Sequence, residues 1–185
     1  MTILDEIVAY KREALVLKKQ AMSLEALKKS PNYGRECVSL KTRLQHSNTG
    51  IIAEFKRKSP SKGYIHEKAK VSPIVPGYEA AGACGISVLA DSLYFGGSVD
   101  DVKQARKLVS IPILFKEFVV DEYQIHEAKS AGADVVLLIA AILTPQECFR
   151  FAYIAKSLGL EVLLELHKFE EIAHINDYVD IVGIN

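Results

Sequence analysis

Short runs of aliphatic and β-branched residues alternate along most of the chain with longer stretches whose apolar positions recur at helical spacing. Ile51–Phe55, Ile86–Ala90, Ile113–Phe115, Asp134–Ile139, Glu161–Glu165 and Asp180–Ile184 have the length and composition of strands. They are apolar on both faces, as parallel strands covered by helices must be. Helices fit Val99–Leu108, Glu122–Ala131, Pro145–Leu158 and Phe169–Ile175, with Gly132 and Gly159 as C-terminal stops. A further helix near Pro73–Ala83 contains Pro76-Gly77, so it either begins late or carries a distorted first turn. Ahead of the first strand, Thr2 as N-cap and Asp5 three residues on open a helix over about residues 3–19, with an apolar stripe of Ile3, Ile7, Tyr10, Ala14 and Leu17. A short helix over Ser23–Lys29 follows, and Ser30–Gly50 is ambiguous between helix and loop.

Strand starts spaced by roughly 18 to 35 residues indicate repeating β-α units and a parallel sheet. A doubly wound sheet would place a G-x-G-x-x-G turn after an early strand, and the chain has none. A (β/α)8 barrel fits better. The expected fold is therefore an α/β (β/α)8 TIM barrel, truncated after about six strands, with an N-terminal helical extension. No linker or low-complexity tract interrupts it, so residues 1–185 read as one domain: an extension over 1–48, then strands one to six over 49–185.

The 185 residues are 49% hydrophobic with a formal net charge of zero, enough for one sizeable core and unlike a general nucleic-acid binder. Cys37, Cys84 and Cys148 are odd in number and widely spaced, which fits a reducing compartment, and the chain reads as cytoplasmic. The longest apolar stretch, Val135–Leu143, is too short to span a bilayer, and the N-terminus lacks a signal-peptide pattern. His46, His66, His126, His167 and His174 show no metal-ligand spacing, so no metal site is expected. The partner implied is a small molecule, with no nucleic acid and no membrane. Open edges on the first and sixth strands would invite self-association.

The chemistry concentrates at strand ends. Side chains alternate along a strand, so Glu54 and Lys56 point one way while Ala53 and Phe55 point the other. The loop Ser59-Pro60-Ser61-Lys62-Gly63 adds hydroxyls, a cation and a turn glycine suited to an anionic ligand. Lys116, Glu165 and Asn185 also end strands, and in a (β/α)8 barrel those ends form the active-site mouth. A single such residue is more often a solvated strand end or half of an ordinary ion pair. Five converging on one mouth suggest a pre-organised acid–base network.

Ile52 to Gly63 resembles the I-x-E-x-K-x-x-S-P-S-x-G signature of the indole-3-glycerol-phosphate synthase family. The resemblance continues through Ser87–Asp91 with Tyr94–Ser98, Pro112–Phe118, Glu161–His167 and Ile181–Asn185. It implies a carboxy-lyase of tryptophan biosynthesis that cyclises, decarboxylates and dehydrates a carboxyphenylamino-deoxyribulose phosphate without a cofactor. Lys116 matches the family's general acid, and Glu165, Lys56 and Glu54 match the groups that share the dehydration. Lys56 also matches a residue touching substrate phosphate and carboxylate, and Asn185 one that holds the intermediate. Phe95 and Phe118 resemble the aromatic wall for the anthranilate ring, and Ser59, Pro60 and Ser61 the mobile loop along its side. Ala90 departs from the usual threonine, and His167 reads as structural. Because such barrels hold phosphate after strands seven and eight, the 185 residues alone are expected to be weakly active or inactive. Two alternatives stand beside this reading. Phosphoribosylanthranilate isomerase would need a cysteine at the end of the first strand, which is absent; a non-catalytic assembly module would keep the charged strand ends as remnants.

Overall fold

The computed structural model describes residues 2–185. Six parallel strands, β1 Ile52–Phe55, β2 Gly85–Leu89, β3 Ile113–Lys116, β4 Val135–Ile139, β5 Glu161–Leu166 and β6 Ile181–Ile184, lie side by side in chain order. Three helices precede them: α1 Ile3–Ala21, α2 Leu24–Lys28 and α3 Leu40–Gln45. The crossovers carry α4 Val71–Ala80, α5 Val99–Leu108, α6 Glu122–Ala131 and α7 Pro145–Ser157, and a 3-10 segment Phe169–His174 joins β5 to β6. Strand order, parallel pairing and helical crossovers are those of a (β/α)8 barrel of which six strands are present, as expected.

Alternation along the strands builds two apolar layers. Phe55, Ile86, Val88, Ile113, Phe115, Val136, Leu138, Val162 and Leu164 face outward and pack on Val75, Val102, Ala105, Ile125, Phe151 and Ala152 of the helices. Leu114, Val135, Leu137, Ile139 and Leu163 face inward, and Leu40 of α3 joins them from the N-terminal side of the sheet. Leu40 is fully buried, and a Cβ on Gly85 would lie 2.6 Å from its Cδ1, so a larger residue there would displace the Leu40 side chain.

Charge fixes the same N-terminal end. Asp134, fully buried, pairs with Arg35 at 2.6 Å and Arg106 at 2.8 Å and accepts the backbone N–H groups of Val38 and Ile113, each at 2.8 Å. Glu161 accepts from Ser39 Oγ and from the N–H groups of Leu40 at 2.8 Å and Lys41 at 3.0 Å, where an anion suits the start of α3. At the opposite end α1 is held by Lys18 to Glu127 at 2.6 Å and Lys19 to Asp121 at 2.7 Å.

Several sequence expectations need correction. The buried stripe of α1 is Ile7, Lys11 and Leu15, while Ile3 and Leu17 are exposed, because a lysine occupies the core-facing position. α4 begins early, at Val71, and keeps Pro76 in its second turn, where only the bond to the Ser72 carbonyl is forfeited. Phe169–His174 closes as a 3-10 segment rather than an α-helix. The loop after β1 is a small antiparallel hairpin pairing Lys58 with Tyr64 and Ser59 with Gly63. Gly132 and Gly159 do end α6 and α7, at φ of 90° and 75°.

Candidate active site

The C-terminal ends of the strands enclose a cavity of about 330 Å³, within the range of small-molecule sites. Its floor is the top of the inner apolar layer, Leu89, Leu137 and Ile139, and its rim carries Glu54, Lys56, Lys116, Glu165 and Asn185. The register explains the convergence. Ile139 on β4 pairs beside Glu165 on β5, and Lys116 on β3 reaches across β4 so that its Nζ lies 3.1 Å from Glu165 Oε2. A second ion pair joins Lys56 Nζ to Glu54 Oε1 at 2.5 Å along β1 and its extension. Two ammonium–carboxylate pairs thus face one apolar-floored space.

Glu165 is the more constrained carboxylate. Burial favours its neutral form, yet the charge of Lys116 together with hydrogen bonds from Asn185 and Lys116 and the nearby His167 outweighs burial and holds it below the ordinary glutamate range. Asn185 Nδ2 donates to Glu165 Oε1 at 3.1 Å, and His167 Nε2 stands 3.4 Å from the same oxygen. The resting site therefore presents an ionised acceptor beside a lysine donor. Phe95 and Phe118 line the other side, ring centroids 5.8 Å apart and planes tilted by 40°. A flat aromatic ligand would lie against them with its polar substituents toward the lysines.

Ser59, Pro60 and Ser61 lie outside the cavity lining: Ser59 is in the hairpin, and Pro60 and Ser61 are exposed at its tip. Arg57 anchors that hairpin by a bidentate pair with Asp101 at 2.6 and 2.9 Å. Among the described residues, no three His, Cys, Asp or Glu side chains converge as metal ligands, and no helix is long and apolar enough to cross a membrane.

Residues 4–185 match the family model described as indole-3-glycerol phosphate synthase. The chain belongs to that family. A Bacteroides thetaiotaomicron indole-3-glycerol phosphate synthase is 51% identical over 99% of this chain and 70% of its own length. The Acaryochloris marina protein of the same name is 42% identical over 99% of this chain and 62% of its own, and that of Neisseria meningitidis serogroup B is 40% identical over 92% and 67%. The chain thus spans 62 to 70% of the length of these indole-3-glycerol phosphate synthases.

Two buried carboxylates and a lysine escaped the sequence reading of the site. Lys11 of α1 lies 2.7 Å from Asp91 Oδ2 and 2.8 Å from Glu117 Oε2, directly behind the aromatic pair. The signal was present as a lysine on the apolar stripe of α1, four residues from both Ile7 and Leu15.

Proposed function

We propose that the chain carries the acid–base face of an indole-3-glycerol-phosphate synthase site, acting in the cytoplasm on 1-(2-carboxyphenylamino)-1-deoxyribulose 5-phosphate. The observation that supports this most is the Lys116–Glu165 pair, 3.1 Å apart over an apolar floor beside Phe95 and Phe118. Ring closure joins the carboxylate-bearing ring carbon to the ketone carbon, and negative charge builds on the ketone oxygen. Lys116 is the general acid that protonates it, in a site whose apolar floor strengthens the interaction. Loss of carbon dioxide restores the aromatic ring. Loss of water then requires a second acid and a base, roles for Lys56 and for Glu165 or Glu54. Lys56 also grips the anionic groups, Asn185 holds the intermediate, and the Ser59–Pro60–Ser61 tip folds over the ring.

Phosphate in such barrels is commonly held after strands seven and eight, which corresponds to the length of the relatives that this chain does not match. For residues 1–185 taken alone, losing about four charge-assisted hydrogen bonds at roughly 1.5 to 3 kcal/mol each would weaken binding by on the order of 6 to 12 kcal/mol. That is at least about four decades of affinity. The experiment is to add the substrate to the 185-residue chain and follow product by indole fluorescence, a clean signal because the chain contains no tryptophan. Slow conversion that rises linearly with substrate without saturating is the expected result. Conversion that Lys116→Ala leaves unchanged overturns the proposal.

A further inference from the structure

At the cavity wall, which Glu117 itself helps to line, three ionisable side chains used by no step above form a cluster. Lys11, Asp91 and Glu117 are 8%, 0% and 4% exposed. Each carboxylate spends one oxygen on the backbone beneath an aromatic residue of the cavity. Asp91 Oδ1 accepts the N–H groups of Tyr94 at 2.6 Å and Phe95 at 3.0 Å, and Glu117 Oε1 accepts that of Phe118 at 2.8 Å. The other oxygen of each faces the single Lys11 ammonium, at 2.7 and 2.8 Å. Tyr10, next to Lys11, packs edge-on against Tyr94 with centroids 6.0 Å apart.

We propose that Lys11 is a positioning residue: it ties the turn after β2 to the end of β3, and so sets the spacing of Phe95 and Phe118 for a benzoate-type ring. The ligand part rests on the function proposed above; the tie itself does not. Phe95 has a second anchor, its carbonyl accepting from Lys58 N at 3.1 Å, so without Lys11 it would follow the hairpin while Phe118 follows β3. Burial pushes the Glu117 carboxyl above the ordinary glutamate range despite the attraction of Lys11. Burial opposes the Lys11 ammonium, but attraction from Glu117 and Asp91 outweighs it and raises Lys11 above the ordinary lysine value.

The test uses Lys11→Met, with Lys19→Met as a control that breaks only the surface pair to Asp121. Two readouts are taken: the NOE between the Phe95 and Phe118 rings in the ligand-free protein, and anthranilate affinity from its own fluorescence. We expect Lys11→Met to lose the NOE and to weaken anthranilate binding tenfold or more, with Lys19→Met unchanged in both. If Lys11→Met does not fold, the triple variant Lys11→Met, Asp91→Asn, Glu117→Gln decides, because it leaves no unpaired buried charge while keeping the acceptors of the backbone N–H groups. Should the unsubstituted chain bind no anthranilate, the proposed function fails, and the NOE alone then decides the tie. Retention of the NOE in a folded variant, or unchanged anthranilate affinity there, overturns the inference.

Discussion

Replacing Asp134 with alanine should cost more stability than any substitution on the cavity rim. Asp134 makes four contacts at 2.6 to 2.8 Å, to Arg35, Arg106 and the N–H groups of Val38 and Ile113. The Arg106 side chain is only 9% exposed, and burial already pulls its guanidinium below the ordinary arginine value against the attraction of Asp134. Removing one partner of a buried pair costs about 3 to 5 kcal/mol, and the orphaned Ile113 N–H about 1 to 3 kcal/mol. The two overlap, so roughly 4 to 6 kcal/mol is expected, a large share of the about 5 to 15 kcal/mol that stabilises an ordinary domain. At about 2 to 4 °C per kcal/mol for a chain of this size, Tm should fall by about 10 °C or more. Urea unfolding followed by far-UV circular dichroism measures it. Because the contacts lie at the opposite end of the strands from the cavity, anthranilate affinity of the folded protein should not change. A loss below about 1 kcal/mol would refute the claim that this cluster clamps the N-terminal extension to the barrel.

Further outcomes follow from the same geometry. The Glu165 carboxyl is held below its ordinary range, so its contribution is complete above the unfolded value of about 4.3 and is lost as pH falls through the lower folded value. Urea midpoints of Glu165→Gln should therefore converge with those of the unsubstituted chain in acid and separate above that value; parallel curves contradict this. The Cys148 thiol is fully buried and pushed up to about 11, which leaves about one thiolate in a thousand at pH 8. Peptide mass spectrometry after iodoacetamide should find Cys148 unmodified in the folded chain and Cys37, which is partly exposed, alkylated. Taken alone, residues 1–185 leave β1 and β6 as sheet edges, with Ile51, Val182 and Ile184 exposed, so light scattering of that piece should report association that grows with concentration. A monodisperse monomer contradicts it.

The strands were legible because a buried parallel strand must be a short apolar run, and each run identified lies within a residue or two of an observed strand. Glu54, Lys56, Lys116, Glu165 and Asn185 were legible for a related reason: strand alternation and barrel topology together fix the face and the end at which a charged residue emerges. What stayed hidden depends on distant partners. Lys11 meets Glu117 across 106 positions, a pairing that the helical pattern of α1 does not announce. Asp134 and Glu161 read as ordinary strand starts, yet each receives groups from the N-terminal extension that no local pattern announces. Ser59, Pro60 and Ser61 carry a motif, but the motif does not say where the hairpin stands relative to the cavity.

Lys116 separates proton transfer from mere charge more directly than any other position. In the indole-fluorescence assay, Lys116→Met and Lys116→Arg should both lower the rate by about 10² to 10⁴, because arginine keeps the charge near Glu165 but does not give up its proton. A Lys116→Arg rate close to that of the unsubstituted chain would contradict the assignment of Lys116 as the acid.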